Sequence, residues 1–286
     1  MDLPVELPPL DIPALLRQYG LRPDKRLGQN FLIDNASIRK VIEAAGLQAQ
    51  DTVLEIGAGL GNLTRHLATL TRQVVAVELD DRLIPALQQV LAPFKNVRLI
   101  QGDILSLSPI ELFHPPLESS YQVVANIPYY ITSALIRRLL EANPPPERIC
   151  LTVQLEVAER ICANPGDLSL LALSVQLYGS PRIATRIPAG AFYPSPKVDS
   201  AVVRVDLYPK PLIPSGQIEI FFKLTKAGFS QKRKTLRNSL ANGMHLPATQ
   251  VADLLRATGI DPQRRAETLS LAEWKALLEN FLSNNQ

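Results

Sequence analysis

Four apolar runs in the first half of the chain, "DTVLEIG", "RQVVAVEL", "NVRLIQGD" and "YQVVAN", constrain the fold more than any other feature. They are rich in β-branched residues and lack polar alternation, the pattern of strands covered on both faces. "LGNLTRHLATL" follows the first run and "DRLIPALQQVLAP" the second, each with helical periodicity. Strand–helix alternation joined by short connections builds βαβ units and hence a parallel sheet. A helix from about Thr132 to Glu141 follows the fourth run, and "ERICLTVQLE" continues the sheet. "PRIATRIP" and "SAVVRVDLY" are separated by a loop alone, so an antiparallel edge is expected there.

The remainder is arranged around this sheet. Residues 11–19 read as a short helix, with Asp11 at the N-cap, Pro13 in the first turn and Gly20 at the stop. A second helix, about Ala36 to Ala45, is capped by Asp34 or Asn35 and closed by Gly46. "YPKPLIPSG", residues 208–216, carries three prolines and reads as a linker. Beyond it "QIEIFFKLTKAGFSQKRKTLRNSL", "PATQVADLLRATGI" and "LSLAEWKALLENFL" all look helical. The expected organisation is an N-terminal extension over 1–21, an α/β domain over 22–207, the linker over 208–216 and a small C-terminal α-helical domain over 217–286.

Composition excludes several classes. Apolar residues make up 46 % and charged residues 20 % of the 286, the balance of a folded globular protein. The acidic, proline-punctuated start is not expected to be a signal peptide, and no apolar run approaches the ~20 residues of a membrane span. A cytoplasmic setting without membrane contact is expected. Cys150 and Cys162 form no C-x-x-C pair, and His66, His114 and His245 are scattered, so no protein-bound metal is expected. From Lys210 onward there are 11 Lys and Arg against 6 Asp and Glu, whereas the rest of the chain is slightly acidic. That surplus favours a polyanionic partner for the C-terminal part.

"VLEIGAGLGNLT" sets Gly57, Gly59 and Gly61 after the first strand and at the start of a helix. Glycines there let the backbone turn tightly and approach a ligand. The third glycine falls one position earlier than in the dinucleotide fingerprint, which disfavours a nicotinamide enzyme. Glu55, two residues before Gly57, suits a cationic or zwitterionic ligand better than a pyrophosphate. Glu78 ends the second strand, where a carboxylate accepts both hydroxyls of a ribose; Asp103 ends the third, where one accepts from an adenine amine. Glycines and acids at successive carboxyl ends of a parallel sheet describe one crevice. The arrangement resembles the S-adenosylmethionine-dependent methyltransferases.

Asn126 falls at the end of the fourth strand, on the rim of that crevice. An adenine N6 is a poor nucleophile because its lone pair is delocalised into the ring. Two acceptors set at its hydrogens draw the nitrogen toward tetrahedral geometry and aim the lone pair. Asn126 Oδ1 and the backbone carbonyl of Ile127 are the candidates. Pro128 biases Ile127 toward extended geometry and brings no competing N–H. Tyr129 would stack on the base, and Phe192 in "AFYPSPKVDS" would cover its other face. Such catalysis works by orientation and needs no strong general base.

"LGQNFLID", "LEIGAGLGNLT", "NIPYYI", "FYPSPKVDSAVVR" and "QKRKTLRNSL", in this order, resemble the ribosomal RNA adenine N6,N6-dimethyltransferases from about Arg22 to the C-terminus. The resemblance implies a Rossmann-like methyltransferase sheet over 22–207, S-adenosylmethionine as donor, and dimethylation of two adjacent adenosines in a hairpin loop near the 3′ end of 16S rRNA. It implies an immature small ribosomal subunit as partner and a role in subunit biogenesis. By motif, Asn30 and Leu32 close over the methionine part of the donor, Gly57 lies beneath it, Glu78 holds the ribose, Asp103 the adenine, and Asn126 sits beside the methyl. The family usually reads G-N-L-P-Y where this chain has Ala125 to Tyr129, a change that keeps the backbone acceptor. Lys232, Arg233, Lys234 and Arg237 would form a basic helix face for RNA phosphates, with Arg22, Lys25 and Arg26 as a second contact near the crevice. Nothing demands more than a monomer. Rival readings are a large-subunit rRNA adenine methyltransferase, a DNA adenine methyltransferase, and a non-catalytic ribosome-assembly factor with the same fold.

Overall fold

The computed structural model describes residues 7–113, 120–128 and 131–284. They sort into two compact units. One runs to Ala158 and resumes over Pro181–Leu207; the other comprises Glu159–Ser180 and the chain from Tyr208 onward. Along the chain come α1 (Ile12–Gln18), β1 (Phe31–Leu32), α2 (Asn35–Ala45), β2 (Thr52–Ile56), α3 (Asn62–Leu70), β3 (Gln73–Glu78), α4 (Ile84–Leu91), β4 (Val97–Gln101), α5 (Pro109–Leu112), β5 (Gln122–Asn126) and α6 (Thr132–Leu140). Then follow β6 (Arg148–Gln154), α7 (Leu155–Ile161), α8 (Leu170–Gln176), β7 (Gly179–Ile187), β8 (Phe192–Tyr193) and β9 (Ser200–Leu207). The last helices are α9 (Ile218–Phe229), α10 (Leu236–Met244), α11 (Ala248–Ala257) and α12 (Leu271–Ser283).

The first unit is built on a seven-stranded sheet in the order β4-β3-β2-β5-β6-β9-β7. β4, β3, β2, β5 and β6 are parallel, with Glu55 opposite Ala76 and Ile56 opposite Ala125, and β9 joins β6 antiparallel. This is the expected Rossmann-like sheet with its antiparallel edge. The strand order departs in both directions from β2, so the crevice of an open α/β sheet belongs at the carboxyl ends of β2 and β5. The unbroken β-branched runs have the expected reason: Val53, Val74, Val124 and Val202 are wholly buried, in a core with Ile38 and Val41 of α2, Leu67 of α3 and Leu87 of α4.

Local chemistry fixes the helix ends. Asp11 caps α1 by accepting from the Ala14 N–H (2.8 Å), and of the two cap candidates for α2 it is Asp34 that accepts, from the Ser37 N–H (2.8 Å). Gly46 closes α2 in the left-handed region. The extension is more than a tail: Ile12, Leu15 and Leu16 of α1 are buried with Phe31, Leu60, Leu83 and Ala86. β1 and β8 form a separate antiparallel pair, Phe31 opposite Tyr193 and Leu32 opposite Phe192.

The second unit differs from expectation in three ways. Helices α7 and α8 follow β6, and residues 159–180 cluster with the C-terminal helices, although the sequence suggested a domain continuous over 22–207. Residues 208–216 are packed within this unit: Tyr208 and Leu212 donate to the Tyr178 and Leu177 carbonyls (2.9 Å each), and Ile213 is fully buried. Finally, the helical stretch 217–240 is broken. The chain turns between α9 and α10, and the first N–H groups of α10 donate to Arg264 and Pro262 carbonyls (2.7 and 3.4 Å). Small residues allow the return: a Cβ at Gly243 would stand 2.7 Å from Ala227 Cβ, so the two helices touch nearly backbone to backbone.

Candidate active site

Strand ends and turns converge on one crevice. Gly57 and Gly59 follow β2, Glu78 ends β3, Asp103 follows β4 and Asn126 ends β5; all line it, together with Ile127, Pro128 and residues 27–31. The turn after β2 is held by the Gly57 and Ala58 N–H groups, which donate to the Val77 carbonyl (2.9 and 3.1 Å). Gly59 is required twice over. Its φ is 59°, in the left-handed region, and a Cβ there would stand 3.0 Å from the Phe31 ring.

Glu78 accepts on both oxygens, from the Gly59 N–H at Oε2 (2.7 Å) and the Asp80 N–H at Oε1 (2.8 Å). Burial pushes its carboxyl above the ordinary value, and those two N–H groups pull it back. Asp103 Oδ1 accepts from the Leu105 N–H (2.9 Å). Beside these carboxylates Leu79, 44 % exposed, and Ile104 supply apolar wall. Neither Leu79 nor Ile104 carried a signal in the sequence beyond following an acid at a strand end. Carboxylate acceptors flanked by apolar side chains fit a nucleoside-bearing ligand.

Asn126 is oriented by its own amide. Nδ2 donates to the Asn30 carbonyl (3.0 Å), while Asn30 Nδ2 donates to the Gly28 carbonyl (3.1 Å). That assignment turns Asn126 Oδ1 away from the Asn30 carbonyl and leaves it as an acceptor. Gln29, which sequence reasoning missed between Gly28 and Asn30, also lines the crevice.

Three expectations are corrected. Leu32 does not line the crevice; its side chain is buried in the core, and its carbonyl accepts from Asn62 Nδ2 (2.9 Å). Phe192 is only 3 % exposed and packs in the same core, because strand alternation in β8 turns it inward and Tyr193 outward. Lys232, Arg233 and Lys234 lie exposed on the turn between α9 and α10 rather than on a helix, and Arg237 alone is helical. Arg22, Lys25 and Arg26 are exposed near the crevice-lining Leu27, with Arg26 paired to Asp24 (3.0 Å). Tyr129 lies outside the described residues.

Glu55 is also elsewhere than expected. It is 2 % exposed, outside the crevice lining, and faces Thr64 of α3 and Glu78. Burial pushes its carboxyl up to about 8; the Thr64 hydroxyl pulls the other way, and Glu78 adds to the rise. Among the described residues neither Glu55 Oε2 nor Thr64 Oγ1 has a partner at hydrogen-bond geometry. In the unfolded chain the same carboxyl ionises near 4.5. Unfolding therefore releases a proton between these values, and stability falls as pH rises from about 4.5 to about 8. Glu55→Gln is expected to abolish that slope, raising stability by about 3 kcal/mol at neutral pH and leaving it unchanged below the unfolded value. Thermal melts of both proteins across that pH range check it: parallel curves would mean that Glu55 ionises freely.

Neither cysteine offers a nucleophile, since burial pushes Cys150 up to about 12 and Cys162 up to about 11. Among the described residues no group of three or more His, Cys, Asp or Glu is placed to hold a metal ion, and no helix is long and apolar enough to cross a membrane.

With the geometry in hand, comparison with known proteins narrows its use. Residues 21–281 match the family described as ribosomal RNA adenine dimethylase. The chain is 46 % identical over 291 residues, 99 % of each protein, to the ribosomal RNA small subunit methyltransferase A of Dehalococcoides mccartyi (strain CBDB1). Among solved structures it is similar to a dimethyladenosine transferase from Plasmodium falciparum, with a TM-score of 0.77 and 26 % identity over 89 % of this chain and 98 % of that one. It is also similar to the 23S rRNA methyltransferase ErmE, with a TM-score of 0.70 and 30 % identity over 88 % and 99 %.

Proposed function

The chain belongs to the ribosomal RNA adenine dimethylase family, and on that premise we propose that it transfers methyl groups from S-adenosylmethionine to N6 of two adjacent adenosines in a hairpin loop near the 3′ end of 16S rRNA. The product is N6,N6-dimethyladenosine, formed on an immature small subunit. The observation that carries this reading is Asn126 at the end of β5, its amide spent on the Asn30 carbonyl and its Oδ1 left as an acceptor beside Ile127 and Pro128.

Bound S-adenosylmethionine supplies a methyl on a sulfonium, a ready leaving group. Glu78 accepts from the donor's ribose hydroxyls and Asp103 from its adenine amine, between the apolar side chains of Leu79 and Ile104. Asn126 Oδ1 and the Ile127 carbonyl accept from the two N6 hydrogens of the target base, so that the nitrogen lone pair points at the methyl. Held by Glu78, Asp103 and Asn126, the donor would supply its methyl to N6 and depart as a neutral thioether, the N6 proton going to water. Pro128 contributes no N–H to compete for the acceptors. Orientation and proximity account for the acceleration, and no side chain is asked to act as a strong base. A loop adenine suits such a site, because it is cheaper to extract than a paired one.

The test is transfer of labelled methyl from S-adenosylmethionine to small subunits lacking dimethyladenosine, with nucleoside analysis, and to large-subunit RNA in parallel. Dimethyladenosine in small subunits supports the proposal. The likeness to ErmE makes methylation of large-subunit RNA the second reading. Binding to small subunits without transfer on either RNA would leave an assembly factor.

The exposed turn bearing Lys232, Arg233 and Lys234 is assigned to RNA phosphates. Reversing all three charges to glutamate is expected to weaken subunit binding and to flatten its dependence on salt by about three counterions. Affinity for S-adenosylhomocysteine stays at the wild-type value. Filter binding across a salt series reads both.

A further inference from the structure

Residues 27–31 line the crevice, yet 25–30 contain only a short turn of helix. What holds this stretch is a polar chain that begins at Glu78. The Glu78 carboxylate fixes the Asp80 N–H, and the Asp80 side chain, 5 % exposed, reaches back to the loop. Asp80 Oδ2 accepts from Gln29 Nε2 (2.7 Å), and Gln29 Oε1 accepts from the Asp24 N–H (2.7 Å). Arg82 clamps the same carboxylate, with Nε on Oδ1 (2.7 Å) and Nη2 on Oδ2 (2.6 Å), and extends to Asp24 Oδ2 (3.4 Å). Leu79 and Leu83, on either side of Asp80 in sequence, line the crevice themselves.

The Gln29 amide is thus a two-ended pin between the 24–31 loop and the end of β3. Both of its ends are engaged, so its rotamer is fixed and the backbone of Gly28, Gln29 and Asn30 is fixed with it. Asn30 in turn presents the carbonyl that orients Asn126. A single bridge therefore links the ribose acceptor Glu78, the loop over the donor and the amide at the reacting nitrogen.

We propose that Gln29 and Asp80 are positioning residues for the methyl donor, latching the 24–31 loop against the end of β3 so that donor affinity depends on the Gln29–Asp80 bridge. The proposal rests on the crevice being the donor site. Neither residue touches the reacting atoms, so the latch governs donor binding and leaves the transfer step largely alone.

The experiment measures S-adenosylhomocysteine affinity by calorimetry, and donor KM and kcat on small subunits, for wild type, Gln29→Ala, Gln29→Glu, Asp80→Asn and the Gln29→Ala/Asp80→Asn pair. Loss of a hydrogen bond to a charged group predicts about a tenfold weaker Kd and a matching rise in KM for Gln29→Ala, with kcat within about threefold. Gln29→Glu is nearly isosteric but sets a carboxylate against Asp80, so it is expected to be worse than alanine. The double variant is expected to be no worse than the weaker-binding single variant, because both single changes open the same latch. Wild-type affinity in Gln29→Glu, or additive losses in the pair, would overturn the latch. Should Gln29→Ala fail to fold, Gln29→Glu and Asp80→Asn decide between the same outcomes. If wild type itself does not bind S-adenosylhomocysteine, it is the donor-site reading that fails instead.

Discussion

Asn126→Ala is expected to lower kcat by about 10²- to 10³-fold, the usual cost of losing one preorganised partner at a reacting atom. Its effect on donor affinity is expected to be modest, since among the described residues the amide's bond to the donor side is the one to the Asn30 carbonyl. Asn126→Asp separates the two roles. Aspartate keeps an acceptor at the position of Oδ1 but has no N–H for the Asn30 carbonyl, and carboxylate and carbonyl repel. More turnover than in the alanine variant at saturating donor, with a higher donor KM, is therefore expected. Single-turnover transfer at saturating donor, beside S-adenosylhomocysteine affinity, reads both quantities. Equal turnover in wild type and Asn126→Ala would remove Asn126 from the chemistry.

Glu78→Ala is expected to weaken S-adenosylhomocysteine binding by about 100-fold or more, because on the proposed reading two charge-assisted bonds to the ribose would be lost together. The loss has a second source within the protein. The Gly59 and Asp80 N–H groups both donate to this carboxylate, so its removal frees the glycine turn and the start of the loop latch at once. Glu78→Gln is expected to be little better. Each carboxylate oxygen already faces an N–H, so an amide in the same place must point its NH2 at another donor. Calorimetry with S-adenosylhomocysteine and thermal melts of the ligand-free proteins check the two parts. A glutamine variant that binds like wild type would mean that the ribose is held elsewhere.

The sheet and its crevice were legible in the sequence for a simple reason. Strand runs and glycine turns are local signals, and in an open parallel sheet the carboxyl ends of neighbouring strands share one edge whatever the details of packing. Asn126, Glu78, Asp103, Gly57 and Gly59 therefore gather at one crevice from local reading alone. What was not legible depends on partners distant in sequence. Nothing local says that Leu32 pairs with Phe192, yet that pairing turns both into the core. The bridge from Gln29 to Asp80 spans two segments that sequence reasoning treated separately. Glu55 looked like an entrance carboxylate because its place two residues before Gly57 was visible and the face of β2 it occupies was not. The basic turn failed for the opposite reason: Lys232 to Lys234 satisfies helical periodicity, but α10 docks its first N–H groups on the 262–264 carbonyls and the helix starts later. Residues 159–180 carry no boundary in composition, and only their contacts assign them to the second unit.

The short pairing of β1 with β8 has a further meaning for a chain made from its N-terminus. Phe31 belongs to the crevice wall, but its strand partner Tyr193 is synthesised long after β2, β3 and β5 have left the ribosome. α1 faces the same delay on a smaller scale, since Leu83 and Ala86 must appear before its apolar face is covered. Contacts so far apart in sequence form late and carry a loop-closure cost that nearby contacts do not. The crevice wall is thus secured by residues from both ends of the first unit. A nascent or prematurely terminated chain that ends before Phe192 already holds Gly57, Glu78, Asp103 and Asn126 but lacks the strand that pairs with β1, so the wall is complete only once β8 has been made.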